Sequence, residues 1–312
     1  MFRRIFHAGL LALAFCLSCS SPPTIALLTD YGWNDPYAGA VQGVILSINP
    51  NVRLVNVTHS VPNYDIREAS YLLATTAKEF PKGTIFLAII DPGVGSARKA
   101  VIVETIDQKY FVGPDNGLFT DVVRSFGFKR AVEISNVLWF RRGAISSTFH
   151  GRDIFGPAAA HLTSGKKMED AGPALQELVL LERVKPEQKE GNVVGEILHR
   201  DHYGNLVTNV PATVLVQTGW RAGMDLEFVV KQQVVRAKFA ERYNAVEKGE
   251  FVLVLNGQGL LELARYLDSA GDSLQAAAGD SILVRTAGSA ATPATPTTTA
   301  SRVSAPLSNR TR

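Results

Sequence analysis

Cysteine is almost absent from this sequence. The 312 residues contain two cysteines, Cys16 and Cys19, and both lie within the first 20 positions. The rest of the chain therefore has neither a disulfide framework nor a thiolate metal site. The net charge is also small, because 32 basic residues are nearly balanced by 29 acidic ones to give +3. No basic run carries interleaved aromatic residues. Nucleic acid is thus not an expected partner.

Several cofactor and metal motifs are missing as well. The sequence has no G-x-x-x-x-G-K-[ST] segment and no H-E-x-x-H segment. The loop 91–98 lacks a complete G-x-G-x-x-G pattern, because Arg98 occupies the third glycine position. The histidine pairs of the chain match no established zinc spacing. We therefore expect neither a nucleotide cofactor nor a bound metal.

Residues 1–23 are predicted to be a signal peptide. Two arginines precede the apolar run 9–15, which is too short to span a bilayer and fits the apolar core of a secretory signal. Residues 16–20 resemble a bacterial lipoprotein signal in which Cys19 would be lipidated, although Cys16 stands where leucine is usual. Ordinary signal cleavage nearby is the alternative. Both interpretations predict export, and lipidation predicts attachment to a bacterial membrane on its periplasmic or cell-surface side.

Residues 24–185 alternate between short β-branched runs and helical stretches, which is typical of an α/β domain. The near-continuous apolar runs predict strands buried on both faces, as in a mostly parallel sheet. Asp65 and Glu68 predict a capping box at the start of the second helix. The predicted strands are 24–29, 52–58, 84–90, 99–106 and 110–112, and the predicted helices are 37–48 and 66–80.

Residues 191–287 are predicted to form a second, smaller domain. Short apolar runs separated by turn residues indicate a β-barrel or sandwich, with one short helix near 260–267. Residues 288–312 are rich in Ala, Thr, Pro and Ser, cannot bury a core and are predicted to be disordered. The predicted strands of the second domain are 193–198, 206–210, 226–230, 251–255 and 282–285.

Polar residues follow several strands of the first domain at the point where each strand ends. They are Asp30, His59, Asp91 and the pair Asp115 and Asn116. A cap or turn role explains any one of them taken alone. Ligands of open α/β sheets bind at the carboxyl ends of the strands, however, so several such residues together predict a pocket at that edge.

Two further polar clusters lie at predicted turns. The segment 149–157 contains His150, which taken alone is better explained by a structural hydrogen bond. The segment 201–209 has two interpretations: a hairpin with Gly-Asn turn chemistry, or a cleft in which Asp201 and Asn205 hold a zwitterionic substrate. The second interpretation is chemically reasonable because an ammonium group binds a carboxylate and a carboxylate binds amide donors.

Six segments occur in a distinctive order along the chain. They are 28–32 (LTDYG), 58–59 (TH) followed by 64–68 (YDIRE), 91–98 (DPGVGSAR), 113–117 (GPDNG), 149–153 (FHGRD) and 201–209 (DHYGNLVTN). Taken together, they resemble the S-adenosylmethionine hydroxide adenosyltransferase family, the hydrolase relatives of the fluorinase and chlorinase. The resemblance implies an amino-terminal α/β domain, a carboxy-terminal β-barrel and a homotrimer with the substrate at subunit interfaces.

The resemblance also implies roles for individual residues. Asp91, Arg98 and His150 match the set that prepares the attacking water. The segment 256–262 (NGQGLLE) departs from the family pattern, in which Asn-Ser and an aromatic residue precede Leu-Glu near the methionine carboxylate or the adenine edge. The implied substrate-binding residues are Asp30 at the ribose hydroxyls, Tyr64 and Phe149 against the nucleoside, Asn116 within the GPDNG segment, and Asp201 and Asn205 at the methionine end.

The chemistry implied is hydrolysis of S-adenosyl-L-methionine by attack of water at the ribose C5′, giving adenosine and L-methionine. The sulfonium is already a good leaving group, so the reaction requires no metal, no cofactor and no covalent intermediate. Either His150 or Asp91 accepts the proton of the water, and Arg98 stabilises the developing hydroxide. Two alternatives are an exported binding lipoprotein for adenosine-like ligands without turnover, and a halogenase. The halogenase is disfavoured because Asp91 and His150 would crowd a halide anion.

Overall fold

The computed structural model describes residues 21–288 and 298–299. The lipidation site Cys19, most of the predicted signal peptide and most of the predicted disordered tail lie outside these residues. Within the described part of the chain, no helix combines the length and the apolar character needed to cross a bilayer.

The first domain is built on a seven-stranded sheet with the strand order β2-β1-β3-β5-β4-β6-β7. Strands β2, β1, β3 and β5 pair in parallel, and only β4 and β7 run against the common direction. The prediction of a mostly parallel sheet is therefore confirmed. The strands are β1 (Thr24–Thr29), β2 (Arg53–Thr58), β3 (Ile85–Ile89), β4 (Ala100–Thr105), β5 (Tyr110–Pro114), β6 (Phe128–Glu133) and β7 (Ala174–Leu175).

Helices cover both faces of this sheet. Alternate residues of a strand point to opposite faces, so Ile25 and Leu27 pack in one hydrophobic core while Ala26 and Leu28 pack in another. The first core is closed by α1 and α4 and the second by α2 and α3. The helices are α1 (Tyr37–Ile48), α2 (Ile66–Ala77), α3 (Thr120–Phe126) and α4 (Gly156–Thr163), and a π-helical turn, Gly151–Phe155, leads directly into α4.

The predicted capping box at the start of α2 forms only in part. The Asp65 carboxylate accepts a hydrogen bond of 2.8 Å from the Glu68 backbone N–H, as expected of a helix cap. The Glu68 carboxylate does not return to the cap; it lies 2.6 Å from Nδ1 of His199, a residue of the second domain. The neighbouring Arg67 also crosses between the domains, to Glu196 at 2.8 Å. The start of α2 is thus anchored to the second domain.

The second domain is a closed barrel, as the resemblance implied. Strands β11, β15, β14, β13, β12, β16 and β10 follow one another, and pairing of β10 with β11 closes the circle of seven. The short strand β9 pairs with β10 beside it. The elements are β8 (Arg183–Val184), β9 (Glu187–Lys189), β10 (Asn192–Arg200), β11 (Leu206–Pro211), α5 (Ala212–Leu215), β12 (Asp225–Val230), β13 (Gln233–Phe239), β14 (Phe251–Leu255), β15 (Leu260–Arg265), α6 (Ala270–Leu274), β16 (Ser281–Thr286) and β17 (Thr298–Thr299), the last paired with β8.

The sequence prediction of the barrel omitted strand β13 and assigned another strand as a helix. The predicted helix at 260–267 is instead strand β15, which pairs with β11 and β14 on its two sides. The periodicity of a short apolar run does not distinguish a helix from a strand. Here the backbone N–H and C=O groups of β11 and β14 need hydrogen-bond partners, and a strand between them supplies these partners. The helix of this region is α6, which begins after the Ser269 cap.

Candidate active site

The carboxyl ends of β1 and β3 form the wall of a cavity of about 630 Å³. This is the edge of the sheet at which the sequence predicted a pocket. The remaining wall comes from the segment 31–37 that leads into α1, from the loop before α2, and from residues 148–151 at the start of the π-helical turn. Five of the predicted site residues line it: Asp30, Tyr64, Asp91, Phe149 and His150.

Arg98 joins the other two members of the predicted catalytic set. Its Nε and Nη2 donate to the two carboxylate oxygens of Asp91 at 2.9 and 2.5 Å. Its Nη2 also lies 2.7 Å from Nδ1 of His150. The guanidinium stacks over the ring of Phe155 at 5.1 Å, which fixes its plane. The three side chains therefore form one hydrogen-bonded cluster, with Arg98 behind the two residues that face the cavity.

The contact with Arg98 defines the protonation state of His150. A guanidinium can only donate hydrogen bonds, so the Nδ1 atom that faces it must carry a lone pair. The proton of the neutral ring is then on Nε2. Burial, together with the positive charge of Arg98, lowers the pKa of His150, although Asp91 and Asp153 act in the opposite direction. Neutral His150 is therefore the form present at pH 7.

We expect the pH dependence of turnover to report this state. Because the pKa of His150 is lowered from 6.5, kcat/KM should hold down to about pH 6.5 and fall in more acidic buffer, where the ring takes up a proton on Nδ1 and loses the hydrogen bond from Arg98. The measurement is initial rate against pH, with the melting temperature recorded in the same buffers to separate unfolding. A rate that rises through this acidic range would contradict the assignment.

Asp30 and Tyr64 form a second corner of the cavity. The Asp30 carboxylate accepts a hydrogen bond of 3.0 Å from the Tyr64 backbone N–H, and Tyr64 adopts a left-handed backbone with φ of 66°. Burial raises the pKa of Asp30, and the nearby negative charge of Asp91 adds to this effect. The Tyr64 ring is 68% exposed, so its outer face is free to contact a further group.

Phe149 belongs to an aromatic cluster on the cavity wall whose other two members, Tyr31 and Tyr37, were not predicted as site residues. Tyr31 and Tyr37 each lie against Phe149, with ring centroids 6.0 and 5.5 Å apart. The Tyr31 hydroxyl occupies the space that a Cβ atom at position 151 would need, because such an atom would lie 2.2 Å from it. Gly151 is therefore required for this cluster. In the sequence, the position of Tyr31 directly after Asp30, at the end of β1, was the feature that could have indicated its place in the cavity.

Two of the polar residues at strand ends support the cavity from behind. Asn116 donates 2.9 Å to the carbonyl of Ile90, the residue before Asp91, and does not line the cavity. His59 is fully buried, with Nδ1 2.8 Å from the Thr29 hydroxyl. The His59 carbonyl also accepts from the Gly32 backbone N–H at 2.7 Å. These contacts fix the backbone on both sides of Asp30 and ahead of Asp91.

Asp153 supports the His150 turn. Its carboxylate is fully buried and accepts from Arg141, Arg152 and the Ser146 backbone N–H at 2.6 to 2.9 Å. Although burial opposes ionisation, the hydrogen bonds from Arg152, Ser146 and Arg141 hold the pKa of Asp153 well below its usual range. Asp153 thus connects the loop before the cavity to the turn that carries His150.

The other two predicted site residues lie elsewhere, on the barrel. Asp201 and Asn205 close the turn between β10 and β11, with the Asp201 carboxylate accepting from the backbone and the side-chain amide of Asn205 at 2.8 and 2.9 Å. The hairpin interpretation of this segment is therefore confirmed. The turn also borders a second cavity of about 620 Å³ within the barrel, and substrate binding by Asp201 and Asn205 stays a prediction. That cavity is lined by Asn205 and by residues that the sequence assignments did not include, among them Tyr203, Tyr243 and Arg265.

Among the described residues, no group of three or more His, Cys, Asp or Glu side chains is arranged to hold a metal ion.

Tyr243 donates to the buried carboxylate of Glu262 at 2.7 Å, and Asn256 donates to its other oxygen at 3.1 Å. The segment 256–262 therefore supports the second cavity through Glu262.

The α/β domain, the closed barrel and the carboxylate–guanidinium–imidazole cluster define a class of two-domain proteins with a small-molecule cavity beside a cluster of ionisable side chains. The N-terminal domain of the SAM hydroxide adenosyltransferase family matches residues 25–172, and its C-terminal domain matches residues 195–283. The chain belongs to this family.

Individual relatives agree with this assignment. The chain is 36% identical to an (R)-S-adenosyl-L-methionine hydrolase of Salinispora tropica, over 84% of this chain and 97% of the relative. It is 32% identical to a hydrolase of the same name from Methanocaldococcus jannaschii, over 80% and 91%. A fluorinase of an Actinoplanes species is 29% identical over 78% and 91%. A solved structure of a conserved protein from Thermotoga maritima superposes with a TM-score of 0.80 at 35% identity, over 84% and 99% of the two chains.

Proposed function

We propose that the protein hydrolyses S-adenosyl-L-methionine by attack of water at the ribose C5′, giving adenosine and L-methionine. The observation that carries the proposal is the cluster in which Arg98 bonds both Asp91 and His150 on the wall of the cavity. Membership of the family and the relatives named as hydrolases, at 32 to 36% identity, support the same reaction.

The geometry favours Asp91 over His150 as the proton acceptor. The single lone pair of the neutral His150 ring, on Nδ1, already accepts from Arg98, so its Nε2–H is left to donate to the water. A carboxylate has about four lone-pair sites, and the two oxygens of Asp91 use one each toward Arg98. Asp91 therefore retains acceptor capacity toward the cavity, and His150 orients the water.

The step balances without a cofactor. The water oxygen forms the new bond to C5′ as the C5′–S bond breaks, and the electron pair of that bond returns to sulfur to give the neutral thioether of methionine. The proton of the water passes to Asp91 and then to solvent. Asp30 would hold the ribose hydroxyls, while Tyr64 and Phe149 would pack against the nucleoside.

Product identification in oxygen-18 water tests the proposal. Label in adenosine and none in methionine is the expected result, with (R) and (S) sulfonium epimers assayed separately because the relatives are named for the (R) form. Stabilisation by substrate without any product would instead identify a binding protein. A 5′-halo product in chloride or fluoride buffer would identify a halogenase, which is the activity named for the more distant fluorinase relatives.

We expect metal removal to leave turnover unchanged. The reaction uses the sulfonium leaving group and the charges of Asp91 and Arg98, so exhaustive dialysis against a chelator should not lower the rate of adenosine formation. The measurement is initial rate before and after dialysis, with added Mg²⁺ or Zn²⁺ as the comparison. A rate that drops tenfold and recovers with one of these ions would overturn this part of the proposal.

The protein is further proposed to act as a homotrimer with its sites at subunit interfaces. In one chain Asp91, His150 and the ribose corner line the first cavity. Asn205 lines the barrel cavity, and Asp201 is hydrogen-bonded to Asn205 in the adjoining turn. Exposed aromatic side chains border both: Tyr64 is 68% and Tyr203 is 77% exposed. A second copy that brings its barrel cavity against the first cavity would complete one substrate site and cover these rings.

Export and lipid attachment at Cys19 are also proposed. Support comes from the leader composition and from the cysteine near its end. Expression of the full chain in a bacterium, followed by membrane fractionation and mass measurement of the mature protein, tests this. A mature chain that begins at Cys19 with added acyl mass is the expected result, and the Cys19→Ser variant should lose that mass.

A further inference from the structure

The edge of the sheet opposite the first cavity is the region where the chain enters the first domain. Strand β1 runs from this edge toward Asp30, and the residue before the strand, Pro23, bonds through its carbonyl to the Arg53 backbone N–H at 2.8 Å. The segments 49–53, 78–83, 104–110, 126–130 and 164–170 lie around this entry point, at the starts of strands β2, β3, β5 and β6, the end of β4 and the ends of helices α1 to α4. We call these five segments the amino edge.

A cavity of about 610 Å³ opens at the amino edge. Pro23 lines it together with Arg130, Lys166 and Lys167. Arg130 forms ion pairs with Glu104 and Glu169, whereas both lysines are exposed. Lys166 lies over the ring of Trp139 at 5.6 Å, so its ammonium is held at the protein surface. Cationic groups therefore stand directly beside the point where the chain enters.

The amino edge has the opposite net charge to the rest of the described body. Its five segments contain eight Lys and Arg residues and five Asp and Glu residues. Residues 21–288 as a whole contain 27 basic and 29 acidic residues, so everything outside the amino edge has 19 basic against 24 acidic. The edge is thus net positive on a body that is otherwise net negative. An apolar side chain, Ile106, is 63% exposed within it.

We propose that the amino edge docks on an anionic phospholipid surface, with the catalytic cavity facing away from the membrane. This inference rests on the proposed lipidation of Cys19. The four residues that follow Cys19, up to Pro23, extend at most about 14 Å, so an acyl anchor would hold the bilayer close to the amino edge. The six residues of β1 place the catalytic cavity about 20 Å further from it. Cations attract phosphate headgroups, and Ile106 enters the interface.

Vesicle sedimentation tests the surface without the anchor. The chain from Ser21 onward contains all the described hydrophobic cores, so it is the form to purify for this assay. It should sediment with vesicles of phosphatidylglycerol and phosphatidylethanolamine, release as salt rises, and remain in solution with phosphatidylcholine alone. The variant Lys166→Glu/Lys167→Glu should weaken partitioning by about 30-fold or more, because two attractive charges become repulsive.

The matched control is Lys185→Glu/Lys248→Glu, the same charge change at two exposed positions outside the amino edge. It should bind vesicles like the unmodified chain, and Lys78→Glu/Lys82→Glu should repeat the loss from another part of the amino edge. Equal loss in the edge and control variants, or no preference for anionic vesicles, would overturn the proposal. Adenosine formation by the edge variants should be unchanged, so failure of docking is distinguishable from failure of the proposed reaction.

Discussion

Replacement of Asp91 by asparagine should lower the rate of adenosine formation by about 10²- to 10⁴-fold, the range associated with loss of general-base assistance. The amide has almost the shape of the carboxylate but presents an NH₂ group where Arg98 also presents donors. It accepts no proton and gives no negative charge opposite the guanidinium. Initial rates at saturating substrate measure the effect, because the change acts on the chemical step.

A matched control lies in the same cavity. Asp35 also lines it but is exposed and stands apart from the Arg98 cluster, so Asp35→Asn makes the same charge change with an expected effect of less than about threefold. Equal losses in the two variants would show that the cavity needs negative charge in general and would remove the special role of Asp91.

Stability separates the catalytic effect from a structural one. The Asp91 and Arg98 side chains are 6% and 10% exposed, and loss of one partner of a buried ion pair typically costs about 3–5 kcal/mol. The double variant Asp91→Asn/Arg98→Met should recover most of the melting temperature, since no unpaired cation remains, without recovering turnover. Recovery of both would mean that Asp91 acts only by supporting the fold.

Mixing two inactive variants should restore activity if each site is shared between two copies. In the Asp91→Asn chain the barrel cavity is intact, and in the Asp201→Asn chain the first cavity is intact. In a closed trimer that contains both variants, an intact first cavity meets an intact barrel cavity at about one site in three. Co-expression with two different tags, followed by tandem purification and assay below the KM, measures this fraction.

The control is the same pair of variants purified separately and then combined without exchange, which should show only the sum of their residual rates. A co-assembled sample with no gain over that sum would place a complete site within one chain. It would also require Asp201 to act at a position other than the methionine end of the substrate.

The sequence predicted site residues best where polar side chains directly follow neighbouring parallel strands. Asp30 and Asp91 follow parallel strands that are neighbours in the sheet, so the rule for strand ends was enough to place them in one cavity. Arg98 and His150 required the family resemblance, because a loop residue and a turn residue have no periodicity that brings them together. Their contact depends on the path of the 91–98 loop and on the π-helical turn after His150.

Other parts of the site were beyond local sequence rules. Tyr37 begins a helix, and nothing in its neighbourhood indicates that its ring meets Phe149 from a segment more than a hundred positions later. Glu68 matched a capping box, yet its carboxylate bonds His199 across the domain boundary. Strand β13 was missed, and β15 was assigned as a helix, because barrel pairing rather than local pattern determines these segments.

Closure of the barrel has a consequence for the order of folding. Strand β10 pairs with β16, so that Val193 lies beside Val284, although the two are separated by nearly the whole length of the second domain. Contacts this distant in sequence form slowly, because a long loop must be ordered before they are made. The α/β domain also contains contacts this distant, between α1 and α4, but all of its strands have been synthesised by Leu175. During synthesis the water-activating half of the molecule can therefore assemble while the half that carries Asn205 still waits for its last strand.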